Sequence, residues 1–110
     1  MSTIAYVFAI DRLTGNKKWK FQSFNCYYTS PVVDASGIIY VASINANTNH
    51  GAVHALQDNG ITVEPYWPPY DSGVAYERLA PPVIGKNKTI YISSSANVNS
   101  NSGNKIYALK

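Results

Sequence analysis

The sequence predicts an all-β protein made of repeated antiparallel units of four strands, with about two units in the chain. Three observations predict this fold. The 9 tyrosines, together with many valines, isoleucines and threonines, favour strands over helices. A segment of the chain recurs at a fixed spacing. Residues typical of turns separate the short apolar runs within each copy.

Length and composition are those of one globular domain, residues 1–110. The hydrophobic share is 45% and only 14% of the residues are charged, a composition that favours a globular over a disordered chain. The net charge of +3 comes from scattered lysines and one cluster at Lys17, Lys18 and Lys20. The basic groove flanked by aromatic residues that nucleic-acid binding needs is not visible, so no nucleic-acid partner is expected.

The single cysteine, Cys26, excludes a disulfide within the chain, and no Cys or His spacing resembles a structural zinc site. Residues 1–11 lack the basic and apolar regions of a signal peptide. No segment approaches about 20 consecutive apolar residues, so no membrane association is expected. As the sequence stands, we expect a cytoplasmic protein.

The internal repeat aligns without gaps. Residues 30–43 match residues 81–94, and subtracting Pro31 from Pro82 gives a shift of 51. Tyr40 and Tyr91 give the same shift. A further pattern of two apolar residues around an alanine occurs three times, at residues 7–10, 53–56 and 106–109.

The elements of one copy follow in a fixed order. Its four strands are short apolar runs, predicted at residues 31–33, 38–43, 52–57 and 64–67. A turn at residues 34–37 joins the first two strands, and an Asn-rich loop leads to the third. The dipeptide Asn59-Gly60 then turns the chain into the fourth.

Four antiparallel strands in a period of about 40 to 50 residues are typical of a β-propeller blade, whose sheet buries both faces against neighbouring blades. By this interpretation the chain holds the last two strands of one blade, a full blade, and the first three strands of another. Leucine-rich and helical repeats fit poorly, because no part of the sequence has a 3.6-residue period.

Residues 9–19, which read AIDRLTGNKKW, resemble the tryptophan-docking motif A-x-D-x-x-T-G-K-x-x-W. This motif belongs to the PQQ-like propellers of the quinoprotein alcohol dehydrogenase family. The Ala, Asp, Thr, Gly and Trp positions match in register, whereas Asn16 stands where the family usually has lysine. The resemblance implies a propeller fold over nearly the whole chain.

The resemblance also implies that the tryptophan packs between neighbouring blades against the Ala and Gly positions. A small residue and a glycine leave a flat backbone on which an indole ring can lie. A second copy of the motif is degraded, because Gln57 stands at the Asp position and the spacing to the tryptophan is longer. The implied docking residues are Ala9, Gly15, Trp19, Ala55 and Trp67.

We do not expect the family's cofactor in this chain. The resemblance implies a quinone stacked between a tryptophan and a disulfide of adjacent cysteines, with calcium held by carboxylates at the axis of a complete ring. Here Cys26 is alone, both tryptophans occupy docking positions, and a chain of this length cannot form the ring. Neither a cofactor nor a bound metal is predicted.

The loops sort to two ends of the strands. In a meandering blade, the loop into the first strand, predicted at residues 23–29 and 68–80, and the loop between the second and third strands share one end. The second kind of loop repeats as Asn-x-Asn-x-Asn-x-Gly at residues 45–51 and 97–103. It lacks the acidic residues of a calcium loop, so it is either a plain turn or a polar surface for a ligand. The predicted ligand face consists of Tyr27, Tyr28, Asn47, Asn49, Tyr76, Asn99 and Asn101.

The sequence contains no recognisable set of catalytic residues. We expect His54 to be a satisfied strand histidine or a contact between blades, and no two acidic residues form an evident acid/base pair. We therefore expect a binding or scaffolding module rather than an enzyme, with a protein or carbohydrate ligand. Two alternatives stay open: a fragment of a larger exported quinoprotein-like or repeat lipoprotein propeller, and a small enzyme that uses the loop face.

The strand count predicts self-assembly. The last blade lacks its outer strand and the first blade lacks its inner pair, so both leave unpaired edges and apolar faces. A second copy is the expected cover, since residues 18–22 form the type of strand that residues 105–110 lack as a neighbour. We expect a homo-oligomer formed through blade edges.

Overall fold

The computed structural model describes residues 5–22, 26–45, 50–75, 78–86, 89–95 and 105–109. These segments contain strands and turns but no α-helix, which confirms the predicted all-β antiparallel fold. Within them, no helix is long and apolar enough to cross a membrane. The strands are β1 (Val7–Ile10), β2 (Lys17–Phe21), β3 (Cys26–Tyr28), β4 (Val32–Val33), β5 (Ile38–Asn45), β6 (His50–Asp58), β7 (Val63–Ala75), β8 (Arg78–Leu79), β9 (Val83–Ile84), β10 (Ile90–Ser95) and β11 (Lys105–Leu109).

The strands form three antiparallel sheets. The first sheet consists of β1 and β2. The second has the order β3-β5-β6-β7, with β4 also paired to β5. The third has the order β11-β10-β8, with β9 also paired to β10. Each sheet is a meander of strands that are consecutive in the chain.

The first strand of the second sheet is broken in two. β3 and β4 both pair with β5, and the break between them contains Pro31, which has no N–H for the ladder. The prediction of an inner strand is therefore correct for Val32–Val33. The prediction that residues 23–29 form a loop is wrong for Tyr27 and Tyr28, because these residues pair with Ile44 and Ser43.

The fourth strand of the second sheet is longer than predicted. The sequence suggested a loop after Trp67, but β7 continues to Ala75. Prolines at positions 65, 68 and 69 are tolerated because β7 is the edge of the sheet and its register shifts against β6. The predicted loop at residues 68–80 is thus wrong for residues 68–75 and 78–79.

The second sheet buries both of its faces. One face contributes Val41 and Leu56 to a cluster with Val7 and Trp19 of the first sheet. The opposite face packs on the third sheet, and the buried residues of this larger cluster are Ile38, Tyr40, Ala42, Val53, Ala55, Leu79, Ile90 and Ile92. The three sheets therefore stack in chain order, with the second in the middle.

The 51-residue repeat is a repeat of structure as well as of sequence. Tyr40 pairs with Ala55 across β5 and β6, and Tyr91 pairs with Ala108 across β10 and β11. Adding 51 to Tyr40 gives Tyr91, and the two alanines stand at the same place in the four-residue pattern. Equivalent residues of the second and third sheets can therefore be compared directly.

Candidate functional site

One end of the stack, here called the turn end, consists of turns that begin with aspartate. Asp11 Oδ1 accepts hydrogen bonds from the backbone N–H groups of Leu13 and Thr14, at 2.8 and 3.2 Å. Asp58 Oδ1 accepts one from the N–H of Gly60 at 2.7 Å. These are side-chain-supported turns of the kind that aspartate favours.

Asp34 organises the third of these turns and also reaches the core. Its Oδ1 accepts from the N–H groups of Ser36 and Ile38, at 2.8 and 2.9 Å, and its Oδ2 accepts from the hydroxyl of Tyr40 at 3.0 Å. Burial, followed by this hydrogen bond and the negative charge of Asp34, raises the pKa of Tyr40 to about 12. Tyr40 therefore stays protonated and anchors the turn to the second sheet.

Lys18 and Asp58 join the first sheet to the second at the same end. Lys18 Nζ lies 3.4 Å from Asp58 Oδ2 in a partly exposed ion pair. The pKa of Asp58 lies below its usual value, chiefly because Gly60 donates a hydrogen bond, with smaller contributions from Trp19 and Lys18. The indole Nε1 of Trp19 is buried and makes no conventional hydrogen bond to a described residue, although it lies near enough to this carboxylate to favour the charged form.

Two cavities open beside this ion pair. The larger has a volume of about 460 Å³, and its lining includes the Asp34 turn at Ser36 and Gly37 together with Gln57. The smaller, of about 230 Å³, lies between β1 and β4 and is lined mainly by apolar side chains that include Phe8, Val33 and Ile39. Sequence reasoning treated these turns as ordinary and did not predict either cavity. The motif spacing gives no signal for them, because they lie between sheets.

His54 lies between the first and second sheets. It is 4% exposed, and its Nε2 is 2.9 Å from Ser43 Oγ. The rings of Phe21 and Tyr28 meet its imidazole edge-on, with centroids at 5.6 and 6.1 Å. Burial lowers the pKa of His54 to about 4, so the ring is neutral at pH 7. The prediction of a satisfied strand histidine in contact with a neighbouring sheet is confirmed.

Each of the two tryptophans pairs with an alanine on the neighbouring strand. Trp19 pairs with Ala9, and Trp67 pairs with Ala55. Trp19 is buried against the second sheet, whereas Trp67 is half-buried and packs on the cluster that faces the third sheet. Gly15 does not take the packing position expected of it in this chain. It is exposed, no other part of the chain lies within 4 Å of the place where its Cβ would be, and its φ of 77° explains the glycine.

The opposite end of the stack, here called the loop end, has two residues of the predicted ligand face near it, Tyr27 and Tyr28. Tyr27 is exposed on β3 and pairs with Ile44, next to the start of the Asn-rich loop. Tyr28 is half-buried, and its ring packs on Phe21 and His54, so it supports the sheet contact as well as this end. The remaining residues of the predicted face lie outside the described residues: Asn47, Asn49, Tyr76, Asn99 and Asn101.

The described strand ends bring the loops of each sheet to this one end. In the second sheet, β5 ends at Asn45, β6 begins at His50, and β7 ends at Ala75, which pairs with His50. In the third sheet, Ser94 of β10 pairs with both Leu79 and Lys105. The strands that flank the Asn-rich segments therefore end at the loop end, away from both cavities.

A metal centre is not visible in the part of the chain that the structure describes, where no three His, Cys, Asp or Glu side chains cluster. Asp11, Asp34 and Asp58 accept hydrogen bonds from turn backbone instead.

No protein-family model, curated protein or solved structure matches this chain. The function therefore has to be inferred from the geometry described above.

Proposed function

We propose that the chain is a non-catalytic binding or scaffolding module built from β-propeller blades, of which the second sheet is a complete one. The observation that carries this proposal is a contact between sheets that occurs twice. Val41 and Leu56 of the second sheet pack on the first sheet, and their equivalents Ile92 and Leu109 of the third sheet pack on the second. Each sheet thus places the same face on its predecessor.

This head-to-tail arrangement is the way in which blades stack around a propeller axis. A two-sheet sandwich would instead leave the outer face of each sheet to the solvent. Here the second sheet is covered on both faces, and its central residues Val41, Ala42 and Val53 are almost fully buried. The pairs Ala9–Trp19 and Ala55–Trp67 agree with the motif resemblance, since both tryptophans face a neighbouring sheet.

The state of the ionisable groups supports binding rather than catalysis. Asp11, Asp34 and Asp58 are occupied as acceptors in turns. His54 is neutral and buried among aromatic rings, away from both cavities. An acid/base pair needs two groups within reach of one substrate, and the described residues do not place such a pair at either end.

The loop end is the proposed binding surface for a protein or carbohydrate ligand. Tyr27 presents about half of its surface there, beside a loop whose sequence is rich in amide side chains. An aromatic face next to amide donors and acceptors suits a sugar ring or an extended peptide, because both combine apolar surface with hydrogen-bonding groups.

An array of oligosaccharides and peptides tests this proposal. The chain should bind one class reproducibly, and Tyr27→Ala combined with Tyr76→Ala should lower the affinity at least tenfold. Lys18→Ala at the turn end is the matched control and should leave the affinity unchanged. If only Lys18→Ala abolished binding, the binding site would lie at the turn end and the proposed loop-end site would be wrong. Turnover of any bound compound would contradict a non-catalytic module.

The second candidate is a segment of a larger exported propeller of the quinoprotein-like or repeat lipoprotein type. The exposure of Val83 and Ile106 on the third sheet favours it, since a following blade would cover them. This candidate predicts that the isolated 110-residue chain neither binds a ligand nor unfolds cooperatively on heating. A self-contained module should bind a ligand and should unfold cooperatively on heating.

A further inference from the structure

The second and third sheets each expose one half of a contact that the chain also makes between its own sheets. On the third sheet, Val83 and Tyr91 are 63% and 43% exposed on the face that does not pack on the second sheet, and we call them the tail surface. On the second sheet, Val33 and Ile39 line the smaller cavity beside β1, with Val33 exposed and Ile39 half-buried, and we call them the head surface. Both surfaces are apolar, and large exposed apolar surfaces are uncommon on soluble proteins.

The repeat shows what covers each surface inside the chain. Tyr91 is equivalent to Tyr40, yet Tyr91 is 43% exposed and Tyr40 only 6%. Tyr40 is buried because it packs in one cluster with Ile84 and Ile90 of the third sheet. Subtracting 51 from Ile84 and Ile90 gives Val33 and Ile39, the two residues of the head surface. The partner of a tail surface is therefore a head surface.

The head surface is only partly covered, because the first sheet beside it has only two described strands. In the second sheet, β5 lies beside β6, but the corresponding edge of β1 has no described strand beside it. The cavity of about 230 Å³ lies there, between β1 and Val33, which is 59% exposed. An inner pair of strands placed in this space would restore the pattern of the second sheet.

We infer that a second copy of the chain fills this space with β9 and β10. Val83 and Tyr91 of one copy then lie on Val33 and Ile39 of the next, and β10 pairs with the free edge of β1. This inference rests on the proposed propeller architecture and names the partner that the module assembles with. The contact is heterologous, so it joins copies head to tail. The assembly then either closes into a ring or grows as an open chain of copies.

At the junction between two copies, one strand must be displaced from the position beside β10. β11 already occupies the position beside β10, and β1 has the same apolar-x-Ala-apolar pattern, so only one of them can lie there. β1 of the next copy takes that position because it brings β2 with it. The joined sheet β9-β10-β1-β2 then has four strands and an Ala9–Trp19 pair where the second sheet has Ala55–Trp67.

Light scattering and sedimentation at micromolar concentration test the inference. The unchanged chain should have a mass of at least twice the 12.1 kDa of one chain. Val33→Lys and Val83→Lys should each be monomeric, since each puts a charge into one half of the contact. Both residues are exposed in the single chain, so the fold, followed by circular dichroism, should persist. Leu13→Lys, at another exposed apolar position, is the matched control and should assemble normally.

A mixture of the two monomeric variants gives the sharpest result. Val33→Lys keeps an intact tail surface and Val83→Lys keeps an intact head surface, so an equimolar mixture should form dimers and nothing larger. A monomeric unchanged chain with a cooperative fold would overturn the inference, as would a mixture that stays monomeric. Neither result affects the proposed ligand binding at the loop end, which the array tests separately.

Discussion

Ser43 Oγ and His54 Nε2 are 2.9 Å apart inside the contact between the first and second sheets. Because burial lowers the pKa of His54 from 6.5 to about 4, the folded chain resists a proton that the unfolded chain accepts. The contribution of His54 to the free energy of unfolding should therefore be constant above about pH 6.5 and fall by about 3 kcal/mol between that pH and pH 4. Urea unfolding across this range measures it.

The control for this pH effect removes both partners together. Ser43→Ala with His54→Phe replaces the hydrogen bond by apolar contacts, and the positions equivalent to His54 are already aromatic in Phe8 and Tyr107. The double variant should lose most of the acid destabilisation between pH 6.5 and 4. An unchanged pH dependence would assign the effect to other groups.

Gly51 packs directly against Leu79 of the third sheet. A Cβ at position 51 would lie 2.9 Å from Leu79 Cγ and 3.0 Å from its Cδ1, closer than carbon atoms tolerate. Gly51→Ala should therefore lower the free energy of unfolding by about 1–3 kcal/mol. In a Leu79→Ala background the same change should have little effect, which a double-mutant cycle measures. Gln57→Ala, exposed on the same strand, should be nearly neutral.

Trp19 and Trp67 should differ in their contribution to stability. Trp19 is 6% exposed between two sheets, whereas Trp67 is half-buried. Trp19→Ala should lower the free energy of unfolding by about 3–5 kcal/mol because it leaves a large cavity. Trp67→Ala should have a clearly smaller effect. Denaturant unfolding of both variants decides this, and equal losses would contradict the described packing.

Asp34 should matter more than the aspartate of the first-sheet turn. Asp34→Ala leaves the N–H groups of Ser36 and Ile38 and the hydroxyl of Tyr40 without their acceptor, which should cost about 1–3 kcal/mol. Asp11→Ala removes bonds that are exposed to water, so its effect should be smaller. Thermal unfolding of the two variants under identical conditions compares them.

The pH dependence of stability in alkaline solution tests the hydrogen bond between Tyr40 and Asp34. Its pKa of about 12 in the folded chain exceeds the ordinary value of 10. The unfolded chain therefore releases this proton first, and stability should decline as the pH rises from about 10 to 12. Tyr40→Phe should weaken that decline, measured relative to the unchanged chain.

Much of the sheet architecture follows from local sequence. The alternation at residues 38–43 and 52–57 gives the buried centre of β5 and β6, because each face of these strands meets another sheet. The 51-residue spacing locates the third sheet for the same reason. These features are periodic, and periodicity is visible without knowing any tertiary contact.

The parts that sequence reasoning missed depend on tertiary pairing. Prolines after Trp67 suggested a loop, but an edge strand with shifted register accommodates them in β7. Tyr27 and Tyr28 have no alternating neighbours upstream, and only their pairing with β5 makes them a strand. The cavities beside Lys18 arise between sheets, where no linear motif describes the surface.

The three prolines of β7 have a consequence for the outer side of the stack. Proline offers no N–H, so Pro65, Pro68 and Pro69 interrupt the row of donors along the outermost strand of the second sheet. An unrelated extended chain therefore finds no continuous ladder on which to grow there, and amyloid-like lateral stacking is discouraged. The edge of β7 is thus a poor template for pairing with foreign strands.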